Sequence, residues 1–264
     1  MKKLITILLS AVFLFSCGTA NFSQTKPTYS APTPNKLIKR LSNISPNGKP
    51  DNFAILLGAS TELRHKANLS IAYQTLLEKG YKKENIFILD SDGLSPFFPS
   101  DGTTSKASVK LLFEKLAKIV EKEDGLFIYI TGHGRRVSAS GIGVSTISLN
   151  AGEELSYSQL INMLDGISPK YGFIFIDNCY TDLYITPNLD EFIFLSVSTP
   201  TTLSKNVSFP RTFFKIWRNE NEPSSIQSIF KKTIIEDRAT IQGFNKPKLT
   251  YRKTRPENIV LGQF

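Results

Sequence analysis

Cysteine and histidine are nearly absent from this sequence, with two of each in 264 residues, beside two methionines and one tryptophan. Two cysteines leave no room for a disulfide framework. The apolar run at residues 4–15 falls short of the roughly 20 residues that a membrane-spanning helix needs, and there is no internal repeat. Basic residues outnumber acidic ones, 32 to 23, for a formal charge of +9. They are scattered rather than interleaved with aromatics, so they read as solvated surface, compatible with anionic lipid headgroups. No nucleic-acid partner is expected. The turn "DSDG" at 90–93 lacks the full spacing of an EF-type calcium loop, and neither a metal nor a cofactor is expected.

The first 17 residues, "MKKLITILLSAVFLFSC", have a basic start and a short apolar stretch, the pattern of an export signal. Their end, Leu14-Phe15-Ser16-Cys17, resembles the lipobox of bacterial lipoproteins. That resemblance implies lipidation at Cys17 and a protein tethered to a membrane in the cell envelope. Gly18 after that cysteine, rather than aspartate, favours an outer membrane. Residues 18–50, rich in Pro, Ser, Thr and Asn, read as a flexible tether with a short "KLIKRL" patch. Residues 51–264 have the size of one domain.

Within that domain, short apolar runs alternate with amphipathic stretches. The runs "FAILLG", "NIFILD", "LFIYIT", "GFIFID" and "FIFLSVS" are strand-like, and "GVSTISL" is a shorter alternating one. Leu69, Ala72, Tyr73, Leu76 and Leu77 share one helical face, and so do Val109, Leu112, Phe113, Leu116, Ile119 and Val120. "YSQLINMLDGI" and stretches near 210–218 and 224–237 complete the helices. Uninterrupted apolar strands between helices predict a mostly parallel sheet covered on both faces, a three-layer α/β/α sandwich. In such sheets functional groups gather beyond the carboxyl ends of the strands.

Two residues stand at such ends. His133 lies between glycines just after "LFIYIT", and Cys179 just after "GFIFID". A thiol at its ordinary pKa is only a few per cent thiolate at neutral pH, so a nucleophilic cysteine needs a base, and imidazole is the usual one. Gly134 and Cys179 could offer backbone N–H groups to an oxyanion. A histidine about 50 residues upstream of a cysteine is the caspase-type order.

Three blocks together resemble the legumain-like cysteine peptidases, the C13 family of the caspase–hemoglobinase fold. They are Arg64-His65-Lys66-Ala67-Asn68 followed by Ala72-Tyr73, "LFIYITGHG", and "GFIFIDNCY" with "FIFLSVSTP" after it. The resemblance runs from about 52 to at least 217. It implies that His133 is general base and acid, that Cys179 forms a thioester acyl-enzyme, and that Gly134 and Cys179 supply the oxyanion hole. Arg64 and Asp177 would line an S1 pocket for asparagine, since a guanidinium and a carboxylate can satisfy both ends of a carboxamide. Ser204 would add a pocket wall. His65 reads equally as a pocket residue and as the first turn of a helix. Where the family continues with a Ser-Gly corner, this chain has Tyr180-Thr181.

The expected activity is that of a membrane-tethered cysteine endopeptidase acting on peptide or protein substrates after a polar residue. Two alternatives stand beside it: a transpeptidase using the same dyad, and a catalytically silent binding module that keeps the fold.

Overall fold

The computed structural model describes residues 35–139, 142–181, 187–198, 208–243 and 245–261. Cys17 and Ser204 lie outside them. In chain order the elements are α1 (Asn35–Ser42), β1 (Asn52–Ala59), α2 (Leu63–Glu78), β2 (Ile86–Asp90), β3 (Gly102–Thr103), α3 (Lys106–Leu116), β4 (Gly125–Gly132), β5 (Gly134–Ala139), β6 (Ile142–Ser148), β7 (Glu154–Ser156), α4 (Tyr157–Leu164), β8 (Tyr171–Asp177), β9 (Phe192–Ser196), α5 (Ser208–Asn219), α6 (Ile226–Glu236), α7 (Arg238–Ile241) and β10 (Lys248–Tyr251).

Seven strands form one sheet in the order β10-β9-β8-β4-β1-β2-β3, parallel except for β10, which runs antiparallel to β9. β5, β6 and β7 make a small antiparallel sheet of their own. Alternation along the central strands divides the core in two. Ile55, Leu57, Ile128, Ile130, Ile174 and Ile176 pack with α1, α3 and α4. Leu56, Phe127, Tyr129, Phe173 and Phe175 pack with α2, α5 and α6. Because both faces are covered, every residue of β2, β4, β8 and β9 is buried, and this explains runs without polar interruption.

The second face is aromatic. Phe127, Phe173, Phe175, Phe213, Phe214 and Trp217 are all fully buried, and neighbouring rings lie 5.0–6.4 Å apart. Each such side chain contributes on the order of 1.5–3 kcal/mol by burial.

The ordered domain begins earlier than residue 51. The "KLIKRL" patch forms α1, whose Leu37 and Leu41, four residues apart, are buried in the core that also contains α3. Arg40 fastens it. Its guanidinium bonds Asp101 at 2.6 Å and the Ile86 carbonyl at 3.0 Å, and it lies over the Phe87 ring. Among the described residues no helix is long and apolar enough to cross a membrane.

Candidate active site

Register brings the site together. β1 and β4 pair as far as Ala59↔Gly132, and β4 and β8 as far as Thr131↔Asp177. The chain leaves each strand at the same edge, so the segments after Ala59, Gly132 and Asp177 emerge side by side. β1 continues to β2 on one flank and is met by β4 on the other. The crevice where strand order reverses is where such sheets hold their ligands.

His133 is the residue between β4 and β5. Its Nε2 lies 2.6 Å from Oε1 of Glu62, and its ring meets that of His65 edge-on at 5.5 Å between centroids. Glu62 is the N-cap residue of α2, yet its side chain caps nothing. The carboxylate instead reaches His133 and the Arg64 guanidinium. Burial pushes the Glu62 carboxyl up, but the bonds from His133 and Arg64 outweigh it and hold the group below its ordinary value.

Beneath this exposed pair lies a buried chain of hydrogen bonds. Nδ1 of His65 is 2.7 Å from Oγ1 of Thr131, whose hydroxyl donates to Oδ2 of Asp177 at 2.8 Å. Because the Thr131 proton is committed to the carboxylate, His65 must donate from Nδ1, which leaves a lone pair on Nε2. Burial, then the nearby Arg64 and His133 charges, lower the His65 pKa to about 4, so the ring is neutral. Asp177 also accepts from Asn68 Nδ2 and Tyr129 Oη, while burial raises its pKa to about 6.

The raised Asp177 pKa has a stability consequence. The folded state holds this proton more tightly than the unfolded chain, whose ordinary value is 3.8. The native fold is therefore favoured below about pH 4, and that advantage is lost as pH rises through about 6. In urea titrations, the stability of Asp177→Asn relative to the wild type is expected to rise by about 2–3 kcal/mol between pH 4 and pH 7. A difference that stays constant with pH would contradict this.

Cys179 is half-buried on a corner tied at both ends. Asn178 donates from Nδ2 to the His133 carbonyl at 3.1 Å. The Ser198 hydroxyl, just past β9, donates to the Asn178 carbonyl at 2.6 Å and accepts from the Thr181 N–H at 3.2 Å. Ser198→Ala strands the buried Thr181 N–H and leaves the Asn178 carbonyl with the Thr181 hydroxyl alone, and is expected to cost about 1–3 kcal/mol by thermal denaturation. It should also slow any chemistry at Cys179. Tyr180 has a positive φ of 55°, a left-handed conformation uncommon outside glycine, and this turns the chain sharply after the cysteine.

Gly134 shows why the histidine needs a glycine after it. A methyl group on its Cα would lie 1.9 Å from the Cys179 carbonyl oxygen. The two backbones are thus in contact, and no side chain fits between them. A cavity of roughly 330 Å³ opens beside this point, between Ala59–Glu62, His133 and Arg135 on one side and Leu149–Glu154 on the other.

Of the residues singled out in the sequence, His133, Gly134 and Cys179 share this edge, with His65 and Arg64 next to them. Arg64 and Asp177 do not pair directly: Arg64 is bound to Glu62, and Asp177 is buried with Thr131, Asn68 and Tyr129. Arg64 influences Asp177 through charge alone. Glu62, Thr131, Asn178 and Ser198 have no signature in the sequence, since single polar residues at strand ends carry no periodic signal. The "DSDG" stretch is a turn closed by the Gly93 N–H on the Asp90 carbonyl, with the Lys66 ammonium seated on Asp90 and Asp92.

No protein-family model matches this chain, and no curated protein does. Solved structures do. Protein GSU0716 from Geobacter sulfurreducens is similar at a TM-score of 0.57 and 16% identity, over 76% of this chain and 93% of that one. At that identity the likeness concerns the fold alone, a mixed α/β architecture with helices on both faces of a mostly parallel sheet.

Proposed function

We propose that this chain is a cysteine endopeptidase of the legumain-like kind on a caspase–hemoglobinase fold, tethered to the bacterial envelope by lipid at Cys17. The observation that carries the reading is the interlock of the His133 and Cys179 corners. Asn178 bonds the His133 carbonyl, and Gly134 lies against the Cys179 backbone.

The chemistry follows from those groups. Glu62 accepts from Nε2–H of His133 and so leaves Nδ1 free to take the thiol proton. The Cys179 sulfur then attacks the scissile carbonyl carbon, and backbone N–H groups of the Gly134 and Cys179 corners stabilise the oxyanion. The C–N bond breaks as His133 returns its proton to the leaving amine. Water, deprotonated by the same imidazole, hydrolyses the thioester. Arg64, partly exposed beside Glu62, recognises a polar P1 side chain, asparagine foremost.

The test combines a fluorogenic peptide library varied at P1 with an electrophilic peptide probe followed by mass spectrometry. Cleavage after one residue class, with the probe attached at Cys179, is the expected result. Absence of both cleavage and labelling would overturn the reading in favour of a silent module.

A further inference from the structure

We infer that Glu62, His65 and His133 form a binding site for a divalent transition-metal ion of the zinc class, and that its occupation switches off the base at His133. The donor atoms of the three residues all lie within 4.8 Å of one another. Ligand atoms around a tetrahedral zinc with bonds of about 2.0–2.1 Å stand roughly 3.4 Å apart, so the site needs only small side-chain shifts. Glu62 and His133 part slightly from 2.6 Å to admit the ion and close with it on His65. Two imidazoles and one carboxylate suit zinc and its neighbours rather than calcium or magnesium, and three protein ligands leave a fourth position for water.

The independent pointer is His65. The residue is 3% exposed and its Nε2 has no hydrogen-bond partner. A buried imidazole acceptor left without a donor is costly. Its other nitrogen is engaged as metal-binding histidines usually are: Nδ1–H donates to Thr131, which is anchored on the Asp177 carboxylate. Ring, tautomer and lone pair are thereby fixed before any ion arrives. Glu62 and His65, three residues apart at the start of α2, present their donors from one turn, and His133 comes from the end of β4.

The consequence for the proposed chemistry comes from the ring of His133. An ion that enters between Nε2 and Glu62 takes the Nε2 lone pair, and the neutral ring then carries its proton on Nδ1. That nitrogen can no longer accept a proton from the Cys179 thiol. The ion therefore inhibits without distorting the fold. This part rests on the peptidase reading, whereas binding of the ion does not.

The experiment measures Zn²⁺ binding to the full chain carrying Cys179→Ser, freed of any histidine tag, by competition with a chromophoric indicator. One ion per chain is expected. Glu62→Ala, Thr131→Val and His65→Phe should each weaken binding by about 10-fold or more. Glu62 is solvent-exposed, so its variant keeps the test valid should the buried His65 substitution fail to fold. In parallel, Zn²⁺ should slow alkylation of Cys179 in the wild-type chain, and added chelator should restore it. Binding that is absent, or unchanged in both Glu62→Ala and Thr131→Val, overturns the site. Binding that obeys the variants in a chain without peptidase activity would uphold the site and sink the peptidase reading. Peptidase activity without zinc binding would do the reverse.

Discussion

Alanine at Cys179 should abolish peptide cleavage, and alanine at His133 should bring it to the same floor. Without the sulfur no thioester can form. Without the imidazole the thiol stays largely protonated, and the leaving amine has no acid. In the proposed mechanism the two groups act as a unit, so their losses do not add. Each single variant is expected to lose at least about 10⁴-fold in kcat, and the double variant no more than either one. Folding should be unaffected, because His133 is exposed and Cys179 only half-buried. Single-turnover kinetics beside thermal melts would check both halves. Cleavage within tenfold of wild type in either variant would exclude the dyad.

Removal of the Glu62 carboxylate should be the next most damaging change. Glu62 lies 2.6 Å from Nε2 of His133. In the proposed mechanism this is the imidazole nitrogen the thiol does not need, and the carboxylate orients the ring and balances the charge gained during acyl transfer. Buried triads lose about 10⁴-fold when the corresponding carboxylate is neutralised. Here both partners are nearly half exposed, and solvent screens the charge. Glu62→Ala is therefore expected to lower kcat by about 10²-fold with little change in KM. Glu62→Gln, which keeps an acceptor in place of the carboxylate, should recover part of that loss. A merely structural role would move both variants through stability and leave no such ranking. An effect confined to KM would instead assign Glu62 to substrate binding.

Much of this molecule is legible from its sequence, for a physical reason. A sheet covered on both faces writes uninterrupted apolar strands, and the helices that cover it write one apolar stripe each. The stripe Val109, Leu112, Phe113 and Leu116 lies buried where the periodicity predicts, with Ser105 as its N-cap. Glycines around His133 and an apolar strand ahead of Cys179 mark their places at a strand end. Glu62 leaves no such mark. In "STELRH" it reads as an ordinary helix start, and only the Ala59↔Gly132 register sets it beside a residue far along the chain. Thr131 is likewise a single polar residue in an apolar strand, explained once Asp177 and His65 are seen on either side of it. α1 is legible only as the short "KLIKRL" patch, because its two buried leucines sit next to a stretch rich in Pro, Ser and Thr. β10 owes its existence to pairing with β9 rather than to any strong pattern of its own.

The register of β1, β4 and β8 also governs when the thiol can act. Glu62, His133 and Cys179 lie far apart in the chain, and only the pairing of these three central strands brings their ends to one edge. Such non-local parallel pairing comes late and slowly in folding. An unfolded chain carries an ordinary, poorly nucleophilic cysteine. On the proposed peptidase reading the fold thus provides its own latency: the thiol meets its base only when the centre of the sheet closes, and a chain still folding has no armed nucleophile.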